Sequence, residues 1–127
     1  MAGYRRAMRQ FLAASEAISR SAGATQQQYQ AMLAIAAWTG APMSMRDLAE
    51  ELLLTHHAAV QLVDRLGKAG LARRIASIAD RRTVELSLTT KGAALLEDLM
   101  SRHQDEMLKR EPALSSSLRR LRKLKGA

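Results

Sequence analysis

Apolar positions recur every three or four residues through the first forty residues of the chain, which is the spacing of amphipathic helices. A first helix is predicted over residues 4–21 and a second from Thr25 to about Thr39. Gln28 follows Thr25 at capping-box spacing, and Gly40-Ala41-Pro42 ends the helical pair. The positions predicted to face inwards are Met8, Phe11, Leu12, Ser15, Ile18 and Ala22, followed by Tyr29, Met32, Leu33 and Ala36.

The pattern becomes shorter and denser after Pro42. Ser44 and Asp47 have capping-box spacing and predict a third helix over 45–53, with Leu48, Ala49 and Leu52 inwards. Thr55 can cap a fourth helix over about 56–69, whose inner positions are Ala59, Leu62, Val63 and Leu66. Residues 71–78 and 83–88 are strand candidates on either side of a short polar turn, and the second alternates apolar and polar positions. Residues 43–92 therefore predict a winged helix-turn-helix.

The rest of the chain returns to helical spacing. Thr89 or Thr90 can cap a fifth helix over about 90–109, with Leu95 or Leu96, Leu99, Met100, His103 and Met107 inwards. Glu111-Pro112 predicts a break before a sixth helix with a narrow stripe of Leu114, Leu118, Leu121 and Leu124. The expected fold is mainly α with a small β-hairpin (α+β), in which residues 1–42 and 93–127 form a helical dimerisation region.

Composition narrows the function classes. Cysteine is absent, which excludes disulfides, thiolate metal sites and cysteine redox switches. No apolar run approaches the roughly 20 residues of a membrane-spanning helix, so we expect a cytoplasmic protein. We find no nucleophile–base motif, phosphate-binding glycine loop or metal-ligand spacing, so we expect neither an enzyme nor a bound cofactor. A zinc site built from His56, His57 and His103 would need ligands from distant helices, which disfavours it.

The net charge of +8 points to an acidic partner, with nucleic acid first. The charge is unevenly distributed. Residues 43–91 hold eight basic and six acidic residues, whereas residues 109–127 hold seven basic residues and one acidic residue. Net charge alone is therefore weak support for a DNA-reading unit over residues 43–91, and individual side chains must carry that interpretation.

These residues resemble the MarR family of bacterial transcriptional regulators. The resemblance rests on Leu48-Ala49-Glu50, Val63-Asp64-Arg65-Leu66, Gly70-Leu71 with Arg74, and Asp80-x-Arg82 followed by Leu86-x-Leu88-Thr89-x-x-Gly92. It implies a homodimer, joined through its terminal helices, on a pseudo-palindromic operator in double-stranded DNA. Many members release DNA when a small, often aromatic, acid binds, so the resemblance implies a small aromatic or phenolic effector. Leu53 departs from the family, because many members have glycine there.

The fourth helix is predicted to enter the major groove with its first residues nearest the bases. The predicted contacts are Thr55, His56, His57, Ala58 and Gln61. Gln61 can pair with adenine, and Ala58 can meet a thymine methyl group. A histidine can donate to guanine or phosphate. For His56, a position partly tucked under the turn is equally open.

The turn between the strands is predicted to enter the minor groove through Asp80, Arg81 and Arg82. Negative potential is concentrated in a narrow minor groove, which attracts arginine. The resemblance implies that Asp80 holds the Arg82 guanidinium; an ordinary charged turn is the alternative. Ser44, Arg65 and Arg73 are candidate phosphate contacts, and Arg74 is expected to brace the hairpin against Asp64.

The terminal helices supply two further predictions. The resemblance implies an effector pocket near Phe11, Tyr29, Met32 and Trp38, although burial in a core is the stronger explanation of these residues. A dimer interface is predicted from Met8, Phe11, Leu114, Leu118 and Leu121. A helix lying on a membrane surface is the rival interpretation of the leucine stripe. At the level of the whole chain, the alternative to an operator-binding repressor is a winged-helix module that binds protein or RNA.

Overall fold

The order of helices and strands follows the predicted winged arrangement. The computed structural model describes residues 2–76 and 84–126. Its elements are α1 (Ala2–Ser21), α2 (Gln26–Ala37), α3 (Met45–Glu51), α4 (His56–Lys68), β1 (Ala72–Ala76), β2 (Val84–Leu88) and α5 (Thr90–Gly126). The strands pair antiparallel, with Ala72 opposite Leu88 and Ala76 opposite Val84. The mainly α fold with one hairpin is thus confirmed.

Three helices begin at the residues that the sequence indicates. Thr25 and Ser44 each form the complete capping box: the cap side chain accepts from the backbone amide three residues later, and the cap's own amide donates to the side chain of that residue. The Thr55 hydroxyl accepts a hydrogen bond from the Ala58 amide at 3.1 Å. These caps satisfy amides that would otherwise lack partners, and they fix where α2, α3 and α4 start.

Helix α2 lies at the centre of the fold and packs against α1, α3, α4, α5 and β2. Because neighbours cover several of its sides, Ala31, Met32 and Ile35 are buried on adjoining faces. The prediction that Ala36 faces inwards is wrong, since Ala36 is exposed. The predicted inner face of α4 is confirmed, because Ala59, Leu62, Val63 and Leu66 are all buried.

The predicted break at Glu111-Pro112 is wrong, because α5 continues through Pro112 to Gly126. Proline removes one amide and crowds the carbonyl four residues earlier, that of Leu108. Pro112 and Leu108 are exposed, so water can reach this turn. The helix is also supported on both sides of the proline. Arg110 contacts Glu106 at 2.6 Å, and the Ser115 hydroxyl donates to Glu111 at 2.5 Å.

The predicted inner stripes of the two terminal helices are partly wrong. Met8 and Leu12 on α1, and Met100 and Met107 on α5, are exposed. Helix α1 buries Ser15, as predicted, together with the small residues Ala7 and Ser19. Small side chains allow α1 to approach α5 closely, and this approach turns the larger apolar side chains towards solvent.

Candidate nucleic-acid interface

Helix α4 presents a polar face to solvent, opposite the buried face that fixes it in the fold. His56, His57 and Gln61 are exposed, and Ala58 is half-buried. Thr55 is also exposed, and it caps the helix. The predicted set for the major groove is thus brought together at the first turns of one helix. His56 is not tucked under the turn.

A depression of about 490 Å³ lies beside the start of α4, where α3, α4 and the hairpin meet. Ser44, Arg46, His56 and Arg74 contribute to its lining. Arg46 is exposed and contacts Glu50 at 3.2 Å. Sequence reasoning missed Arg46 as a cation at this position. The sequence signal that could have identified Arg46 was its position in the first turn of α3, two residues after the Ser44 cap.

The three predicted phosphate contacts differ in their surroundings. Arg65 on α4 and Arg73 on β1 are exposed. Ser44 is half-buried, and its hydroxyl already accepts from the Asp47 amide at 3.1 Å. That hydroxyl keeps its own proton and can still donate it to an anion. Arg65 and Arg73 therefore remain accessible cations, while Ser44 has one donor to offer.

Arg74 braces the hairpin against α4, as predicted. Its guanidinium forms an ion pair with the Asp64 carboxylate and also approaches the Val60 carbonyl at 3.4 Å. Both side chains of the ion pair are partly exposed, so we expect it to fix orientation more than to add stability. Asp80, Arg81 and Arg82, predicted at the tip of the wing, lie outside the described residues.

A second candidate site is a groove of about 590 Å³ between α1, α2, α5 and the end of α3. Phe11 and Tyr29 line this groove, as predicted for the effector pocket. Met32 is instead fully buried in the core. Trp38 is half-buried and is not part of the lining. The structure therefore brings together two of the four predicted residues.

A chain of hydrogen bonds crosses the base of this groove. The Leu99 carbonyl lies 2.7 Å from His103 Nδ1 and can only accept, so Nδ1 carries the imidazole proton. His103 Nε2 then accepts from the Ser15 hydroxyl at 2.7 Å. The Gln26 amide donates to Ser15 Oγ at 2.9 Å, and Ser19 Oγ donates to Gln26 Oε1 at 3.0 Å. Each of the four side chains thus has a hydrogen-bond partner in this chain.

Tyr29 stacks on His103 with ring centroids 4.1 Å apart. Burial raises the pKa of the Tyr29 phenol above its usual range, so the phenol stays neutral at physiological pH. Among the described residues, Glu51 is the charged member of the groove lining, with no lysine or arginine beside it. The groove can therefore offer aromatic contact, amide and hydroxyl groups, and one carboxylate.

The three histidines of the chain do not form one cluster. His103 lies between α1 and α5, whereas His56 and His57 begin α4. Within residues 2–76 and 84–126, no cluster of three or more histidine, aspartate or glutamate side chains could hold a metal ion. Over the same residues, no helix combines the length and apolar character needed to cross a membrane.

The chain is similar to one family model and, in fold, to several solved structures. The family model described as MarR family matches residues 22–83. Over these residues, just under half of the chain, the sequence is similar to the MarR family. Among solved structures, AbsC, a MarR family transcriptional regulator from Streptomyces coelicolor, superposes with a TM-score of 0.78 at 22% identity, over 94% of this chain and 82% of that one. No curated protein shows a significant match to the chain.

Two further structures show the same likeness of fold. A point mutant of S. aureus MepR, bound to an oligodeoxyribonucleotide, has a TM-score of 0.75 at 20% identity, over 96% of this chain and 88% of that one. Bordetella bronchiseptica BpsR has a TM-score of 0.71 at 21% identity, over 97% and 90% of the two chains. The match to the MarR family model and the exposed polar face of α4 favour a DNA-binding regulator.

Proposed function

We propose that the protein is a homodimeric transcriptional repressor that binds a pseudo-palindromic operator and is released by a small-molecule effector. The observation that carries this proposal is α4, whose inner face is buried and whose first turns expose His57 and Gln61. A rigid helix with free polar side chains at its first turns suits the major groove. The MepR structure with bound oligodeoxyribonucleotide supports DNA as the partner.

A mobility-shift titration with the DNA upstream of the chain's own gene tests the proposal. A bidentate base contact contributes about 1–3 kcal/mol, so Gln61→Ala and His57→Ala are each expected to weaken binding by about tenfold. The wing variant Arg82→Ala is expected to weaken it similarly. Arg20→Ala is the control, because Arg20 lies on α1 and pairs with Glu16. Binding that survives all three variants unchanged would contradict the assigned contacts.

The alternative is a winged-helix module that binds protein or RNA. Salt dependence separates the two, because a protein that contacts several phosphates releases counterions and loses duplex affinity steeply as salt rises. Arg65 and Arg73 are exposed and available for such contacts. If no duplex is bound at low salt while structured RNA is retained, the module is the better description.

Dimerisation in this proposal covers the apolar side chains that α1 and α5 expose. Met8 and Leu118 are exposed, while Phe11, Leu114 and Leu121 are half-buried. All five predicted interface residues thus keep accessible surface in the single protomer. Burying such side chains against a second copy removes them from water and makes the contact self-complementary.

The groove between α1, α2, α3 and α5 is our proposed effector site. BpsR, whose DNA binding is regulated by 6-hydroxynicotinic acid, supports an aromatic effector. Here the described lining carries the Glu51 carboxylate and no lysine or arginine, which disfavours a carboxylic acid. We therefore propose an uncharged aromatic or phenolic compound.

A bulky substitution at the mouth of the groove tests this assignment. Gln30 is exposed and lines the groove, whereas Gln27 is on the same helix and does not line it. Phenolic compounds selected by thermal shift should release the wild-type protein and Gln27→Trp from the operator. Gln30→Trp should bind the operator but resist release. Equal release of both variants would place the effector elsewhere.

A further inference from the structure

The two ends of the terminal helices lie side by side. Helices α1 and α5 run antiparallel, because Ser15 contacts His103 while Gly3, twelve residues earlier, lies against Ser117, fourteen residues later. Arg6 and Arg120 line one shallow depression between them. The first turns of α1 and the last turns of α5 therefore form a single surface.

This surface is strongly basic. We call it the basic end, and its members are all exposed: Arg5, Arg6, Arg9, Arg119, Arg120, Arg122, Lys123 and Lys125. Residues 2–15 and 112–126 contain no aspartate or glutamate. The other 12 lysines and arginines of the chain equal its 12 acidic residues, so these eight cations match the whole net charge of +8.

The arginines elsewhere on the same two helices are paired with carboxylates. Arg20 contacts Glu16, Arg102 contacts Asp98, and Arg110 contacts Glu106. Among residues 2–76 and 84–126, no member of the basic end lies within ion-pair distance of a carboxylate. Like charges held close together on packed helices repel one another, and a polyanion would relieve that repulsion.

The basic end is also remote from the junction between α4 and α5. Thr89 donates a hydrogen bond to Gly70 at 2.6 Å and Lys91 donates to Ala69 at 2.9 Å, which fixes the start of α5 to the end of α4. At a rise of about 1.5 Å per residue, Arg119 lies about 42 Å along α5 from Lys91. The basic end therefore forms a surface distinct from the polar face of α4.

We propose that the basic end binds the phosphate backbone of a second DNA segment without reading its sequence. Double-stranded DNA carries one negative charge per about 1.7 Å of axis, a dense line of anions for clustered cations. Six of the eight cations are arginines, whose planar fork suits phosphate. A membrane-surface helix would need its apolar stripe free, and the dimer proposed above covers Leu118 and Leu121. Binding of DNA at the basic end would be additional to operator recognition by α4 and would not depend on it.

The test measures binding of a duplex of unrelated sequence by fluorescence anisotropy. The background variant His57→Ala/Arg65→Ala/Arg73→Ala weakens the α4 surface, so its residual affinity reports other contacts. Adding Arg119→Gln/Arg120→Gln/Arg122→Gln should weaken binding at least about tenfold and reduce the slope of log affinity against log salt by about three. The matched control is Arg20→Gln/Arg102→Gln/Arg110→Gln, which removes three paired cations from the same helices and should change affinity less than about twofold.

Each outcome decides the matter. Equal weakening by both triple variants would mean that net charge alone acts, and no weakening by either would mean that the basic end does not touch DNA.

Circular dichroism and light scattering verify the fold and the mass of each variant. If the first triple variant is unstable, Arg5→Gln/Arg6→Gln/Arg9→Gln repeats the test from α1. Binding to vesicles rich in phosphatidylserine, without binding to the duplex, would replace DNA with a membrane. Because the duplex lacks an operator, failure here leaves the proposed repressor function standing.

Discussion

Leu53 has a backbone conformation that a residue with a Cβ rarely adopts. It lies between α3 and α4 with φ of +56°, in the left-handed region, and its side chain is 92% exposed. A non-glycine residue there costs about 1–2 kcal/mol, and the exposed leucine makes little contact in return. We expect Leu53→Gly to raise the free energy of unfolding by about 0.5–1 kcal/mol, after the entropic cost of glycine.

Urea denaturation measures this change. Leu53→Ala is the matched control, because it shortens the side chain but keeps the Cβ that clashes at positive φ. A gain in Leu53→Ala equal to that in Leu53→Gly would assign the effect to the exposed leucine instead of the backbone.

The helix caps and the Asp64–Arg74 ion pair could be predicted from residues close in sequence, whereas the groove between α1, α2, α3 and α5 could not. Thr25, Ser44 and Thr55 depend on neighbours within three residues, and the Asp64–Arg74 pair required only the winged register. The hydrogen-bond chain through His103 joins residues 88 apart in sequence. No spacing rule connects such residues, so the partners of Phe11 and Tyr29 in the groove could not be identified beforehand.

Among the elements, the junction of β1 and α5 depends on a glycine. A Cβ at Gly92 would lie 1.9 Å from the Leu71 carbonyl oxygen, and backbone on both sides prevents an easy adjustment. The Leu-Thr-x-x-Gly pattern of the resemblance thus has a steric reason. Gly92→Ala is expected to cost at least about 3 kcal/mol of unfolding free energy or to prevent folding.

Gly67→Ala provides the comparison for that junction. Gly67 lies in α4, where a Cβ would meet its nearest atom at 3.9 Å. Alanine is favoured over glycine inside a helix, so stability should rise by about 0.5–1 kcal/mol. Thermal unfolding of the two variants would contradict this account if Gly92→Ala were as stable as Gly67→Ala.

Helix α5 shows where element prediction failed. Periodicity identifies helical segments, but it does not reveal that packing against α1 extends a helix through Pro112. Because the proline sits inside a continuous helix, we expect Pro112→Ala to stabilise the protein by about 1–3 kcal/mol and to increase helicity by circular dichroism. Pro42→Ala, in the exposed connection before α3, should show no such gain. A loss of stability in Pro112→Ala would contradict a continuous helix and favour the helix break predicted at Glu111-Pro112.

At the scale of the whole molecule, the exposed apolar residues are the strongest sign of a partner copy. Burial of Ala7, Ser15 and Ser19 against the rest of the protomer leaves Met8 and Leu12 outside. The sequence indicated which helices are amphipathic, but it could not show which apolar positions a single protomer already covers. That distinction comes only from the packing of α1 on α5.

The dimer can be tested with substitutions of matched exposure. Met8 is 40% exposed and Leu118 is 51% exposed on the terminal helices, while Ile75 is 44% exposed on β1. A charge buried in an interface is costly, so Met8→Glu/Leu118→Glu should give a monomer by light scattering, whereas Ile75→Glu should keep the dimer mass. The monomer should also lose operator affinity, because two copies of α4 must address half-sites about 34 Å apart. A double variant that retains both the dimer mass and full operator affinity would move the interface away from these helices.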